Sequence, residues 1–154
     1  MTLSPRAKDP VRIRRANPSD QEDWLRLRLL LWPACPPRQH RGEMSEYLAG
    51  KTRVAFVAAR RSGDLAGFLE ATIRPFAEGC ETGPVGYIEG WYVDAKVRRQ
   101  RIGRRLARAA EAWARQAGCQ EMGSDCDLGN GSVAPHTLRS DTGSGSASFI
   151  SASR

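Results

Sequence analysis

The charged residues in the second half of the chain are segregated by sign, and each group suggests a different chemistry. Residues 76–94 include four acidic residues and no lysine or arginine. Residues 96–108 include seven cationic residues and no acidic one. Carboxylates bind cations and accept protons, whereas arginines bind phosphate-like anions. The sequence therefore predicts a cation-binding or proton-accepting region that is followed directly by an anion-binding one.

The basic segment lies where a predicted strand turns into a predicted helix. Free N–H groups at a helix N-terminus, together with basic side chains, form an anion site. Gly103 is expected to let a ligand approach the first helical turn closely. The alternative is a solvent-facing, arginine-rich helix face, which is what most runs of charge are.

Glu89 is the acidic residue that is hardest to explain as an ordinary surface charge. It lies within the most apolar strand of the sequence, and a buried carboxylate needs a partner. Glu89 therefore either contacts a cationic ligand or forms an internal ion pair, for which Arg74 is the candidate. Two other candidates also have structural alternatives, because Trp32 suits a lid over the core and Asp125 suits a helix cap.

Hydrophobic patterning predicts the elements that position these residues. The pattern favours strands at 11–15, 54–59, 65–74, 85–93 and 119–125. A first helix begins after Asn17, has Leu30 on its apolar face and ends near Trp32, before Pro33. A loop through Pro37 leads to a short helix that ends at Gly50, and a long helix runs from Ile102 to the C′ glycine, Gly118. This order indicates an α/β (α+β) fold with a mixed central sheet flanked by helices.

Composition excludes several classes of protein. The 154 residues, 40% of them hydrophobic, suit one domain with a sizeable core. No apolar run is long enough for a membrane span, and no secretory leader is apparent, so we expect a cytoplasmic protein with no membrane partner. The four cysteines include no C-x-x-C pair, so neither a disulfide framework nor a metal site is expected. The net charge of +7 indicates an anionic partner.

The composition changes after Leu128. Residues 131–154 include seven serines and only four large apolar residues, without helical or strand periodicity. We therefore expect a flexible N-terminus at 1–10, one domain at 11–130 and an irregular Ser/Gly-rich tail at 131–154.

The basic turn resembles the acetyl-CoA motif of the GNAT acetyltransferase superfamily. That pattern is Arg or Gln, two residues, Gly, one residue, and Gly or Ala. Arg98 and Gly103 match it, whereas Arg101 stands at the position of the first glycine. The resemblance implies the GNAT fold, acetyl-CoA as co-substrate, and contacts to it from Trp91, Tyr92, Val93, Arg98, Arg99, Gln100, Arg101, Ile102, Gly103, Arg104 and Asn130.

Four further segments are similar, in order and spacing, to the aminoglycoside 6′-N-acetyltransferases of the chromosomal, dimeric type. They are residues 30–33, 70–74, 84–93 and 117–125. The resemblance implies acetylation of the 6′-amino group of aminoglycosides such as kanamycin and tobramycin, and hence antibiotic resistance. It implies that Glu89 is the catalytic residue, acting as a base through water, and that the substrate contacts are Trp32, Phe76, Glu81, Glu89 and Asp125. A substrate-lining histidine of the family falls at Cys35.

The tail departs from that family after Asn130. The expected helix, Leu-Gly-Phe/Tyr signature and last two strands are absent from the sequence. A one-base frame slip is our hypothesis for this departure, because residues 139–142 can be encoded by codons that read Leu-Gly-Tyr in a shifted frame, and the nucleotide sequence of the gene tests it. The missing segment supplies the family's general acid, part of the CoA wall and strands that join the dimer. We therefore expect an incomplete C-terminal part, and the tail argues against the family's homodimer.

Four functional hypotheses remain open at this point. They are an aminoglycoside 6′-N-acetyltransferase, a GNAT enzyme for another amine or a protein N-terminus, a nucleic-acid-binding protein, and an inactive truncated product. The acidic region and Trp32 favour the first. The cations lie in one short turn and helix start, outside any recognised nucleic-acid module, so no nucleic-acid partner is expected.

Overall fold

The computed structural model describes the backbone of residues 10–124, 127–128, 131–132, 136–140 and 147–151, and the side chains of residues 10–97 and 101–124. Its first elements in chain order are β1 (Arg12–Arg15), α1 (Gln21–Leu31), α2 (Pro37–Ala49), β2 (Arg53–Ala59), β3 (Leu65–Arg74), β4 (Val85–Val93), α3 (Ile102–Gln116) and β5 (Met122–Ser124). Short 3-10 helices at Pro18–Asp20 and Ala95–Gln100 precede α1 and α3. Within the described part of the chain, no helix is long and apolar enough to cross a membrane.

β1 to β5 form one mixed sheet in the order β1-β2-β3-β4-β5. Neighbouring strands are antiparallel except for β4 and β5, which are parallel. β1 lies at the edge, as its short, charged sequence predicts. β5 is shorter than the predicted strand 119–125 and pairs only with Gly86–Ile88 of β4.

Each face of the sheet is covered, which explains the continuous apolar run in β2. Val54, Phe56 and Ala58 face the core beneath α3, whereas the alternate residues Ala55 and Val57 face the core beneath α1 and α2. Successive side chains of a strand point to opposite faces, so both sets must be apolar.

α3 lies close against β4, and a glycine makes this approach possible. A Cβ atom added to Gly86 would lie 2.8 Å from the Cβ of Ala114 and 3.3 Å from the Cε of Met122. α3 ends before Gly118, which has the positive φ of +91° expected of a C′ glycine.

Two predictions about the helices are wrong. α2 is not a short helix around Met44 but begins at Pro37, because the fixed φ of proline suits the first helical position and its missing N–H is not needed there. Leu30, which was placed on the apolar face of α1, is 56% exposed. Leu27, one turn earlier, is fully buried and packs in the core beneath α1 and α2 instead.

The segments described after β5 also differ from expectation. β6 (Asp127–Leu128) pairs with β7 (Gly131–Ser132), and β8 (His136–Ser140) pairs with β9 (Ala147–Ser151), both antiparallel. The strand pairs β6–β7 and β8–β9 are regular structure that the sequence pattern did not indicate, and the division into a domain at 11–130 and a tail at 131–154 stays a prediction. The pairing sets Thr137 opposite Ile150 and Leu138 opposite Phe149, and threonine, isoleucine and phenylalanine are residue types that favour strands.

We predict that Gly86→Ala destabilises the protein by about 1–3 kcal/mol, since the new methyl group forces α3 away from β4. Gly42→Ala is the matched control. Gly42 lies in the middle of α2 with no atom within 4 Å of an added Cβ, so this change should stabilise by roughly 0.5–1 kcal/mol. Urea unfolding of both variants measures the two effects. Equal stability of the two variants would contradict the close packing of α3 on β4.

Candidate active site

A cavity of about 940 Å³ opens on the α1–α2 face of the sheet. Aromatic, acidic and basic side chains line it together. The polar and aromatic lining residues include Arg28, Trp32, His40, Glu43, Tyr47, Arg53, Glu70, Thr72, Arg74 and Glu89. Two of the residues singled out in the sequence, Trp32 and Glu89, therefore line the same space.

β4 has one more residue than β3 at Glu89. The pairing passes from Gly90 opposite Glu70 directly to Ile88 opposite Ala71, which leaves Glu89 without a partner on β3. Ile88 faces the core beneath α3, so the alternation of the strand sets the Glu89 carboxylate in the cavity wall on the other face. The β-bulge then turns Gly90 to the same face as Glu89, where it meets Trp32.

The Glu89 carboxylate is held by two residues of β3. Oε1 accepts hydrogen bonds from the Thr72 hydroxyl at 2.7 Å and from Arg74 Nε at 3.0 Å and Nη2 at 2.6 Å. Oε2 accepts one from Arg74 Nη2 at 2.8 Å. The internal ion pair with Arg74, which the sequence offered as the alternative to a ligand contact, is therefore present, and it lies in the cavity.

Trp32 follows the last residue of α1 and packs across β4 at Gly90. A Cβ atom at Gly90 would overlap the six-membered ring of Trp32, so this position needs a glycine. The Trp32 ring also makes an edge contact with Phe68, at 6.2 Å between ring centroids. Trp32 is half-buried and lines the cavity, and it is thus a wall of this space rather than only a lid over the core.

His40, to which the sequence assigned no role, is the second ring in this wall. It is fully buried and stacked on Trp32, with 6.3 Å between centroids and 26° between planes. Its Nε2 lies 3.3 Å from the carbonyl oxygen of Trp32. The sequence could not indicate this contact, because no spacing of residues relates His40 to Trp32 and only the packing of α2 against the end of α1 brings them together.

A network of buried polar side chains also forms part of the cavity wall, and the sequence pattern did not identify it. Glu70 on β3 is 1% exposed, accepts a hydrogen bond from Trp24 Nε1 at 2.9 Å and lies 2.8 Å from Arg28 Nε. Arg28, 2% exposed, also donates to the Glu43 carboxylate at 2.6 Å and to the backbone carbonyl oxygen of His40 at 3.0 Å. The sequence signal was the same as for Glu89, a glutamate in an apolar strand.

Burial controls protonation in this network. Desolvation raises the pKa of Glu70 to about 7, against the opposing effect of Arg28 and of the Trp24 hydrogen bond. Desolvation also raises the pKa of Tyr47, with a further contribution from the nearby Glu70 and Glu89. Tyr47 therefore lines the cavity as a neutral phenol.

The remaining predicted substrate residues lie elsewhere. Phe76 is 78% exposed and does not line this cavity. Glu81 is exposed, and its backbone N–H donates to the carboxylate of Glu121 at 2.9 Å. The acids that line the cavity are Glu43, Glu70 and Glu89 rather than the loop acids. Asp125 lies outside the described residues, so its role and those of Phe76 and Glu81 stay predictions.

The start of α3 suits a phosphate-bearing ligand. Arg101 adopts the left-handed conformation, with φ of 58° and ψ of 25°, and its side chain does not cap the helix. The first intrahelical bond of α3 runs from the N–H of Arg105 to the carbonyl oxygen of Arg101, at 3.0 Å. Helix geometry leaves the N–H groups before Arg105 for an external acceptor, and Arg101 and Arg104 are exposed beside them.

Gly103 lies against β4, and the expectation that it lets a ligand approach this turn stays a prediction. A Cβ atom there would lie 3.4 Å from Trp91 Nε1 and 3.6 Å from Val93 Cγ2. This side of the first turn therefore packs on β4, and any ligand approaches from the other side. The side chains of Arg98, Arg99 and Gln100, and the whole of Asn130, lie outside the described residues.

The C-terminal half of β4 provides a second set of backbone groups. β4 pairs with β5 only as far as Ile88, whereas its pairing with β3 continues to Val93. Beyond Ile88, the side of β4 that faces away from β3 has no pairing to β5. Among the described residues, the backbone of Trp91 and Tyr92 has no β5 partner on that side, which suits an extended ligand such as pantetheine. Among the described side chains, no group of three or more His, Cys, Asp or Glu residues is placed to hold a metal ion.

We predict that stability falls as pH rises from about 4.5 to about 7, because the unfolded chain then loses the Glu70 proton that the folded protein keeps. The shift corresponds to at most about 3 kcal/mol at about 1.4 kcal/mol per pKa unit. Glu111, whose pKa burial also raises to about 7, acts in the same direction. Urea unfolding at pH 5 and pH 8 should therefore give a smaller pH difference for Glu70→Gln than for the wild-type chain. If Glu70→Gln and the wild-type chain show the same change in unfolding free energy between pH 5 and pH 8, Glu70 does not keep its proton in the folded protein.

The comparisons with known proteins agree with this geometry. A family model described as the acetyltransferase (GNAT) family matches residues 23–134. The aminoglycoside N(6′)-acetyltransferase type 1 of Klebsiella aerogenes is 41% identical over 121 residues, which make up 77% of this chain and 80% of that protein.

Solved structures of similar fold carry related names. AAC(6′)-Iy in complex with the bisubstrate analogue CoA-S-monomethyl-acetylneamine has a TM-score of 0.72 and 33% identity, covering 79% of this chain and 82% of that one. AAC(6′)-Ih from Acinetobacter baumannii has a TM-score of 0.72 and 34% identity, covering 79% and 82%. The basic turn, the bulged strand and these similarities agree, and the chain belongs to the GNAT acetyltransferase family, within the group of aminoglycoside N(6′)-acetyltransferases.

Proposed function

We propose that the chain transfers the acetyl group of acetyl-CoA to the 6′-amino group of aminoglycosides and thereby confers resistance to them. The observation that carries this proposal is the position of Glu89. Its carboxylate lies in the wall of a cavity of about 940 Å³ that Trp32 also lines, at the bulge of β4 and directly before the stretch of β4 that is unpaired to β5. An acceptor amine in the cavity and an acyl donor along β4 therefore meet at Glu89.

Glu89 is the proton acceptor in this proposal. The amine of an aminoglycoside is charged in water and must lose a proton before it attacks a carbonyl carbon. Oε2 of Glu89 accepts one hydrogen bond from Arg74 and retains acceptor capacity, whereas Oε1 accepts three. A proton taken directly or through one water contributes about 10²–10⁴-fold to the rate of such a reaction.

The backbone of β4 and the start of α3 hold the donor. Acetyl-CoA supplies the acetyl group as an activated thioester. Backbone N–H groups at Trp91–Val93 hold the pantetheine arm and stabilise negative charge on the thioester oxygen. The exposed Arg101 and Arg104, with the free N–H groups of the first turn, bind the pyrophosphate.

The acceptor is a polycation, and the cavity suits one. Glu43 and Glu89 are partly exposed carboxylates in its lining, and Trp32 offers an aromatic wall for the apolar face of a sugar ring. Glu70 lies too deep for contact with solvent and supports the wall through Arg28. Phe76, Glu81 and Asp125 remain the further substrate contacts that the family resemblance implies.

We also infer that the protein acts in the cytoplasm, and its tail puts the family's homodimer in doubt. The described cysteines Cys35, Cys80 and Cys119 are free thiols, as is usual in a reducing compartment. The departure of the sequence from the family after Asn130 affects the strands that join the family's dimers. Light scattering of the purified chain gives its oligomeric state.

We predict that Glu89→Gln lowers kcat/KM for kanamycin by about 10²–10⁴-fold while the Kd for acetyl-CoA stays within about twofold. Thiol release from acetyl-CoA measures the first value, and calorimetry measures the second. Glu22→Gln is the matched control, because Glu22 is an exposed glutamate paired to Arg41 on the helices, outside the cavity lining. Full activity of Glu89→Gln would exclude Glu89 as the base.

Trp32→Ala should raise KM for kanamycin by about 10-fold or more with KM for acetyl-CoA unchanged, because the variant loses an aromatic wall of the acceptor space only. Steady-state kinetics with each substrate varied in turn separates the two constants. A rise in both KM values would instead indicate that Trp32 supports the fold around β4.

A further inference from the structure

We propose that Arg74 is a built-in competitor for the ammonium groups of the acceptor. Its guanidinium occupies Glu89 in the free protein and must leave before a substrate ammonium takes its place, so Arg74 sets the affinity of the site for cationic acceptors. This inference rests on the proposed function and concerns a residue to which neither the sequence motifs nor the family resemblance assigns a role in binding.

The contacts of Arg74 are those expected of a bound cationic ligand. Nε and Nη2 make three hydrogen bonds of 2.6–3.0 Å to both oxygens of Glu89. The guanidinium carbon lies 3.8 Å from the centroid of the Tyr87 ring, which is a cation–π contact. A carboxylate combined with an aromatic face is also what an aminoglycoside ammonium would meet here.

The position of Arg74 allows it to move. It is the last residue of β3, and its side chain is 42% exposed, compared with 2% for Arg28 in the buried pair with Glu70. Water reaches an ion pair with this degree of exposure, screens it and offers each partner alternative hydrogen bonds. The loop that follows β3 leaves the guanidinium a path to solvent, whereas Arg28 is enclosed by α1, α2 and β3.

Exchange of one cation for another preserves the charge balance of the site. Thr72 remains bonded to Oε1 of Glu89 when Arg74 leaves, so the carboxylate keeps its orientation. An incoming ammonium that finds Arg74 in place meets a neutralised carboxylate and a positive charge. Every acceptor therefore binds at the expense of the Arg74–Glu89 pair, and loss of Arg74 should strengthen binding.

The alternative role for Arg74 is positioning of Glu89 for proton transfer. The two roles give opposite kinetic signatures. A competitor raises KM for the acceptor and leaves kcat largely unchanged, whereas a positioning residue supports kcat and leaves KM largely unchanged.

The test compares Arg74→Met, which removes the charge but keeps a long side chain over Tyr87, with Arg74→Lys, which keeps the charge. Arg61→Met is the matched control, because Arg61 is an exposed arginine that lines no part of the cavity. Kinetics at saturating acetyl-CoA gives kcat and KM for kanamycin, calorimetry gives the Kd of kanamycin, and thermal unfolding confirms that each variant is folded.

For Arg74→Met we expect a 3- to 10-fold lower KM and Kd for kanamycin, with kcat within about threefold of the wild-type value. Arg74→Lys and Arg61→Met should remain near the wild-type constants. An unchanged or higher Kd in Arg74→Met, a fall in kcat at constant KM, or an Arg74→Lys variant that behaves like Arg74→Met would overturn the inference. A wild-type chain that binds kanamycin without acetylating it would refute the proposed function alone, since the Kd values still decide the role of Arg74.

Discussion

The one-residue offset between β3 and β4 is the constraint on which the rest of the site depends. Ile88 and Trp91 both face the core beneath α3, so the extra residue lets two consecutive residues, Glu89 and Gly90, face the cavity. The same offset sets Gly90 opposite Glu70, where the missing side chain admits the Trp32 ring. The carboxylate, the aromatic wall and the start of the β4 edge that is unpaired to β5 therefore lie side by side at a single backbone irregularity.

Two ion pairs in the same cavity differ in their surroundings and hence in what they can do. The Arg28–Glu70 pair is buried, also bonded to Trp24 and Glu43, and fixes α1 and α2 against the sheet. The Arg74–Glu89 pair lies at the end of a strand with both partners in contact with solvent. A buried pair cannot lose one partner without leaving an uncompensated charge, whereas a half-exposed pair can exchange its partner with water or with a ligand. The cavity thus combines a fixed ion pair at Glu70 of β3 with an exchangeable ion pair at Glu89 of the neighbouring strand β4.

Much of the fold could be predicted from local pattern. The apolar runs of β2 and β4 and the stripe of α3 are strong periodic signals, and their order is that of a mixed sheet covered on both faces. The sequence pattern gave a wrong prediction for Leu30, which is exposed because tertiary contacts, rather than helical spacing alone, decide which side chains are buried. It also gave a wrong start for α2, because Pro37 begins that helix instead of ending the loop before it.

The site was predictable only in part, because charge along the chain does not give proximity in space. Trp32 and Glu89 were identified through segments that resemble a family, and both line the cavity. The acidic loop was expected to join them, yet Glu81 does not line the cavity, and its backbone N–H donates to the carboxylate of Glu121, which precedes β5. Glu43 and His40 lie on a helix whose sequence has no motif, and only the packing of α2 on the end of α1 brings them to the cavity.

Arg101 shows how one position can combine two opposing effects. A non-glycine residue in the left-handed conformation costs about 1–2 kcal/mol relative to ordinary backbone, and here it sets an arginine at the start of α3, where we propose that the pyrophosphate binds. Every arginine codon differs from a glycine codon by its first base alone. A single nucleotide change can therefore replace Arg101 by glycine, which removes the positive charge and also removes the conformational cost. On the proposed function, that one change lowers the affinity for acetyl-CoA and raises the stability of the fold.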